Sequence, residues 1–322
     1  MRGLAISLVV LGHTNQGIAH RGWWGTANTG DELQAFIYAF HMPAFFFVSG
    51  VFLRKSVERQ GKLRFTLAKI RTILYPYALW TCIYLLASLL FRRFMVQAIP
   101  SWQSFLYNLL TGYGGWFLPA LFFCLMLGML VRKLPFPYLL VLSVMACLLF
   151  PVTSISFVDR GLGELPFLVV GIGIGMGIGT GAGRGDGAAY LRLEGLSRGL
   201  AMSSYVVLAS VLLVLTLWLR ADVPGLFLVE GMLGTAMLLM LARVLDQSVA
   251  ARGLAWIGRA SLGVFLMAPF PQGAGRALLQ AVHVTRPYPQ LLLPTLLAVL
   301  VPAWLYHHRT RLRLGWLFVS PW

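Results

Sequence analysis

Charge is what this 322-residue chain lacks most: 11% of its residues are charged, against roughly 25% in soluble domains. Too little polar side chain is present to cover a water-facing surface, which excludes an ordinary soluble fold. Acidic residues are scarcer still, 10 against 26 Lys and Arg, giving a net charge of +16. In a soluble protein that balance would suggest nucleic acid. Here the basic residues sit mainly in short segments between apolar runs and read as orientation signals, so nucleic acid is not an expected partner. The three cysteines, Cys82, Cys124 and Cys147, each lie in an apolar stretch without metal-ligand spacing. They read as small packing residues, and no metal is expected. No long linker, low-complexity tail or soluble segment interrupts the chain, so a single membrane domain over 1–322 is expected. The apolar run Leu4 to Val10 resembles a signal-peptide core. However, no small-residue cleavage site follows it, and His13 and Asn15 interrupt it, so it reads as a retained span.

What is present is hydrophobicity: 58% of residues are hydrophobic and the mean hydropathy is +0.78. Apolar stretches of about 20 residues, the length that crosses a bilayer, recur from end to end. The expected fold class is all-α, a polytopic membrane helix bundle of about ten transmembrane helices. The spans fall near 2–19, 33–53, 72–91, 115–131, 138–153, 162–180, 201–219, 224–242, 254–271 and 290–306. With the N-terminus in the cytoplasm, 19 of the 26 basic residues fall on the inside, seven of them in a loop at 54–71. That asymmetry favours an even number of spans and two cytoplasmic termini.

In the sixth span, Gly171, Gly173, Gly175, Gly177, Gly179, Gly181 and Gly183 alternate with other residues. The overlapping GxxxG spacings let helix backbones approach closely. Tight packing is the ordinary reading, and a substrate groove is the other. A nucleotide loop is excluded, because no soluble strand precedes the run and no Lys-Ser/Thr follows it.

Ionisable groups inside a span are costly and usually face a cavity. Arg2 and His13 are eleven residues apart, almost three helical turns, so they share a face with a rise of roughly 16 Å between them. The pair offers a cation at the inner rim and an imidazole in the outer half. A snorkelling arginine and a packed histidine explain the spacing equally well. His41 lies roughly 12 Å deep in the second span, near the level of His13. Pro43 follows it and should kink the helix against the carbonyl of Ala39. Glu230, roughly 10 Å deep in the eighth span, is either a general base or orienting group, or a structural carboxyl. Arg259 near the inner end of the ninth span either binds phosphate or snorkels to lipid headgroups. Trp23, Trp24, Tyr113 and Trp116 near the outer face either stack on a saccharide or form the usual interfacial belt.

Several segments together resemble the acyltransferase-3 family of bacterial membrane acyltransferases. Arg2 to His13 is similar to the family's opening Arg-x10-His motif. Phe40-His41-Met42-Pro43-Ala44-Phe45-Phe46-Phe47-Val48-Ser49-Gly50 is similar to its FHMP-x-FFF-x-SG segment and leans towards the fucose 4-O-acetylase-like branch. Leu74-Tyr75-Pro76-Tyr77 with Trp80, Trp116-Phe117-Leu118-Pro119-Ala120-Leu121, and Ile257-Gly258-Arg259-Ala260-Ser261-Leu262 fit in order. Relatives usually carry residues ahead of the motif arginine and often end the ninth span in a histidine. This chain has Arg2 in second place and Met267-Ala268-Pro269 at that end.

The resemblance implies transfer of an acyl group, usually acetyl, from cytosolic acyl-CoA to a hydroxyl of a cell-envelope or exported saccharide or glycolipid. It implies a multi-pass protein of the bacterial cytoplasmic (inner) membrane, working beside polysaccharide-synthesis proteins. Carried onto this chain, it makes His13 the leading catalytic residue and Arg2 its partner. Arg2 and Arg259 would hold the phosphates of the CoA co-substrate, and His41 or Glu230 would orient the ring or bind sugar. Two rivals use the same buried polar residues: a transporter or flippase for a lipid-linked sugar, and a non-catalytic subunit of an envelope-polymer complex. The transporter does not account for the Arg-x10-His spacing, and retained function after substituting both Arg2 and His13 would favour the subunit.

Overall fold

Helix accounts for nearly all of the regular structure in the computed structural model, which describes residues 1–25, 28–90, 101–112, 115–149, 153, 155–179, 196–218 and 225–321. No strand occurs among them. Apolar, charge-poor sequence in a bilayer must satisfy its backbone internally, and a helix does so within one segment. Tyr113, Gly181, Gly183, Arg92, Arg93, Arg184, Arg192, Arg220 and the ends of several expected spans lie outside the described residues.

In chain order the helices are α1 (Arg2–Ala19), α2 (Thr29–Tyr38), α3 (His41–Gln60), α4 (Lys62–Lys69), a wide π segment (Ile70–Leu74) and α5 (Tyr75–Leu90). Next come α6 (Trp102–Thr111), α7 (Phe117–Val131), α8 (Phe136–Leu149), α9 (Ser156–Gly179) and α10 (Arg198–Trp218). The last five are α11 (Leu226–Val244), α12 (Val249–Arg259), α13 (Ser261–Met267), α14 (Pro269–Ala281) and α15 (Pro287–His307). Among the described residues, five helical stretches are long and apolar enough to span a membrane, and α12 with α13 makes a sixth if counted together. Helices α7 and α8 are apolar but shorter.

Two expectations are corrected and one is met. The basic stretch 54–71 is not a loop: α3 continues to Gln60, and α4 follows a single turn at Gly61, whose φ of +77° suits glycine. Arg, Lys, Glu and Gln are good helix formers, so charge there does not break the helix. The ninth span is not continuous but bends by 64° between Arg259 and Ser261. The second span is interrupted at Ala39–Phe40, where Pro43 was expected to kink it. Pro43 sits in the first turn of α3, where its missing N–H is harmless, and its ring would clash with the carbonyl of Ala39 in an unbroken helix. Pro76 explains the π segment in the same way, because its ring crowds the carbonyl of Thr72 and widens the preceding turn.

The described residues form two compact units. One comprises Met1–Ala44 and Leu193–Leu314. In it α1 is flanked by α2, α12, α13 and α15, while α10 pairs with α11 and touches α2. Its crossings rely on small residues: a side chain on Gly3 would strike the carbonyl of Leu254, and one on Gly234 would strike Phe40.

The other unit comprises Phe45–Arg192 and Gly315–Trp322. There α9 packs on α7 and α8, and α9 meets α3 backbone to backbone. A Cβ on Gly50 would hit the carbonyl of Leu168, and one on Gly171 would hit that of Phe47. The described part of the glycine run therefore serves tight packing. Trp80 donates from Nε1 to the carbonyl of Leu317 (2.9 Å), tying residues 315–321 to α5.

Gly171→Leu should lower the thermal unfolding midpoint of detergent-solubilised protein, corresponding to about 2 kcal/mol or more of overpacking. Gly163→Ala, whose Cβ would meet nothing within 4 Å, should leave the midpoint unchanged.

Candidate active site on the first helix

The sequence Arg2 to Ala19 forms one unbroken helix, so the eleven-residue spacing is realised on a real helix face. At 100° per residue, His13, Gln16, Ala19 and His20 share an arc, and all four are exposed. Val10, Thr14 and Ile18, turned away from that arc, are buried, and so are Ala5, Ile6 and Val9, which lie on the His13 side nearer the start of the helix.

Two buried polar residues follow His13 in sequence and fix the helix. Thr14 donates from Oγ1 to the carbonyl of Val10 (2.9 Å) and accepts from Gln272 Nε2 (2.7 Å) and Thr295 Oγ1 (2.9 Å). One proton and two lone pairs are thereby all used, and α1 is bonded to α14 and α15. Asn15, fully buried, donates from Nδ2 to the carbonyl of Gly30 (2.7 Å) and to Gln34 Oε1 (3.0 Å). Its Oδ1 accepts from Trp24 Nε1 (3.0 Å). These bonds hold α2 and the turn before it against α1.

Docking α2 in this way delivers Tyr38 to His13. The Tyr38 hydroxyl lies 3.3 Å from His13 Nδ1, and the two rings meet edge to face. On its other side Tyr38 packs against the ring of His41, centroids 4.6 Å apart. His41 is 2% exposed, and its Nδ1 donates to the carbonyl of Ile37 (2.7 Å). A carbonyl can only accept, so neutral His41 carries its proton on Nδ1 and leaves Nε2 as an acceptor. The structure thus brings His13, Tyr38 and His41 into one row.

Glu230 is not part of that row. It is half-buried on α11, one turn before the Gly234 contact with Phe40, and bonds to neither histidine. Arg2 stands at the opposite end of α1 from the histidine. Gly3 and Gly258 meet closely there, and Arg2 Cβ lies 3.5 Å from where a Gly258 side chain would begin. That crossing brings the end of α12, which closes on exposed Arg259, to the start of α1, where Arg2 is exposed. The two cations therefore share the end of the unit remote from His13.

Of the four aromatics expected near the acceptor, Trp24 is engaged by Asn15 and by an edge contact with Tyr288 (5.7 Å). Trp23 lies under Arg21 (5.3 Å). In the other unit, Trp116 lies under Arg160 (5.1 Å). Sequence reasoning passed over Tyr38, although it precedes His41 by three residues and shares its helical face. It also passed over Asn15 as a packing hub, and over Glu164 on α9, whose Oε2 is buried without a partner. Glu164 was visible as a charge within an apolar run. Among the described residues no His, Cys, Asp and Glu group has the arrangement of a metal site.

A helical membrane fold whose first helix presents arginine and histidine on one face defines a class, and sequence comparison identifies it. The acyltransferase-domain model of the acyltransferase-3 family matches residues 1–308, and the chain belongs to that family. It is a membrane acyltransferase. No curated protein and no solved structure matches it.

Tyr38→Phe keeps the ring packing on His41 but removes the hydroxyl beside His13. Acyl transfer by this variant should fall by up to about tenfold in kcat, the scale of one lost hydrogen bond. Asn15→Ala strands the Trp24 N–H and the Gly30 carbonyl. It should cost about 1–3 kcal/mol, read as a lower thermal midpoint with parallel loss of activity.

Proposed function

We propose that the chain is an O-acyltransferase that moves an acetyl group from cytosolic acetyl-CoA to a hydroxyl of a cell-envelope or exported saccharide. It would do so in the cytoplasmic membrane of a bacterium, alongside the proteins that make that saccharide. The single observation that carries this reading is the α1 face, with a cation at one end and an exposed, hydrogen-bonded imidazole roughly 16 Å away along the axis.

The residues present fit the donor. Arg2 and Arg259, both at one end of the unit, offer guanidinium groups to phosphates. His13 stands far enough away for an extended pantetheine arm to lie between them. With His13 Nδ1–H donating to Tyr38 Oη, Nε2 carries the lone pair that acts as base. His13 takes the acceptor hydroxyl proton at Nε2 as the hydroxyl oxygen bonds to the thioester carbonyl carbon. The carbon–sulfur bond then breaks, and His13 returns the proton to the leaving thiolate. The alternative route puts the acyl group on His13 first, releasing the thiol before the acceptor arrives. Tyr38 orients His13 in both routes, and His41 holds Tyr38 in place. Glu230, away from the histidine row, is assigned to the acceptor side.

His13→Ala, verified as inserted and folded, should lose about 10²–10⁴ in transfer rate, measured as labelled acetyl on isolated envelope glycan. Retention of transfer would sink the assignment. Arg2→Ala should raise the donor KM by roughly tenfold to a hundredfold, the loss of a charge-assisted contact, with a smaller effect on kcat. Stable acetyl label on wild-type protein without acceptor would select the covalent route.

A further inference from the structure

Buried beside α1, one turn beyond His13 on the side away from Arg2, is a guanidinium without a counterion. Arg276 of α14 is 7% exposed. Its Nε and Nη2 are sealed from solvent with no acceptor, and no described carboxylate lies within ion-pair distance. Its immediate backing is Gly17, where a Cβ would collide with the guanidinium; Nη1 would be 2.7 Å away. The absence of a side chain at Gly17 makes the room that the guanidinium occupies. Arg21, half-exposed and four residues beyond Gly17, adds a second positive charge just past the end of α1. An unpaired guanidinium in a desolvated place is unfavourable for folding alone, since a buried unpaired charge costs free energy that a counterion must offset.

The position ties this charge to the reaction. Gly17 follows His13 by four residues, about 6 Å along the axis and 40° around it. Arg276 therefore borders the exposed arc that carries His13, Gln16 and His20. A planar guanidinium with unused N–H donors matches a carboxylate or phosphate in the paired geometry that such groups prefer.

Resting on the acyl-transfer reading above, the geometry points to an acidic acceptor. The saccharide carries a carboxylate or phosphate that Arg276, reinforced by Arg21, holds within a sugar or two of the hydroxyl presented to His13. Arg276 is thereby a specificity residue, separate from the donor cations Arg2 and Arg259 at the other end of α1.

Purified full-length protein in phosphatidylcholine nanodiscs tests this with glucuronate, inorganic phosphate and glucose, titrated at constant ionic strength. The readout is the rise in thermal midpoint. Wild type should show a saturable rise with glucuronate or phosphate and none with glucose. Arg276→Gln should weaken that apparent affinity at least tenfold, while its midpoint without anion equals or exceeds wild type because no unpaired charge remains. Gly17→Ala should weaken anion binding too, by displacing the guanidinium while keeping its charge. His13→Ala should bind anions normally. Absence of a saturable anion effect in wild type, or equal affinity in Arg276→Gln, overturns the proposal. So does a site that phosphatidylglycerol nanodiscs fill and soluble anions cannot compete for, since the occupant is then a lipid headgroup. Donor turnover, followed in the same nanodiscs as thiol release from acetyl-CoA, separates the two readings. Anion binding that tracks Arg276, without thiol release even when isolated envelope glycan is added as acceptor, leaves the anion site standing and removes acyl transfer. Turnover with anion binding indifferent to Arg276 does the reverse.

Discussion

The unit that carries the site depends on the hydrogen bonds that Thr14 and Asn15 send from α1 to its neighbours. Both side chains are fully buried, and between them they bond α1 to α2, α14, α15 and the Trp24 turn. In an apolar environment nothing else can satisfy these groups, so each bond specifies position as well as adding stability. His13 immediately precedes this pair. Its exposure is a consequence: with residues 14, 15, 17 and 18 all turned inward, position 13 is left on the open arc. The residue beside the hub is therefore presented with little freedom, which is what a base acting on a hydroxyl requires.

The break at Ala39–Phe40 does comparable work for the second helix. Had α2 and α3 been one straight helix, Tyr38 and His41 would simply succeed one another along a continuous face. Pro43 prevents that continuity. At the interruption the Tyr38 ring lies against His41 while its hydroxyl reaches His13. The bend between Arg259 and Ser261 similarly brings α12 across the start of α1, where Gly3 and Gly258 permit close approach. A broken helix at each end of α1 sets the two ends of the site.

Much of this was legible in the sequence because bilayer physics is strict. Apolar runs gave the helices, and Arg2 and His13 announced themselves as charges where charge is costly. The glycine run announced close packing, which Gly50 and Gly171 bear out. The relation between helices was not legible. Nothing in the local pattern says that Tyr38 rather than Glu230 meets His13, because both choices satisfy the same depth and periodicity. The breaks were half legible: Pro43 marked one, at the carbonyl of Ala39 that its ring would strike. The bend after Arg259 carries no proline, and its only signal, Gly258 and Ser261 on either side, is weak. Apolar residues resume at Leu262, so composition alone predicts a single span.

Scarcity of acid links the composition to the chemistry. With 10 acidic residues against 26 basic ones, most arginines must find their counter-charge outside the chain. At the membrane surface, lipid phosphate and water provide it without constraint. Beside α1, Arg276 has Nε and Nη2 sealed within the protein and without a protein acceptor. The energetic argument is then one-sided. A hydrophobic residue of similar volume would fill the space beside Gly17 with no charge to compensate, so folding alone gives no reason for a guanidinium there. An anionic group arriving with the acceptor supplies that reason. It would pair with a desolvated cation at low local dielectric, where the attraction is strong, and would leave the site costly to occupy for any neutral saccharide that strands the same donors.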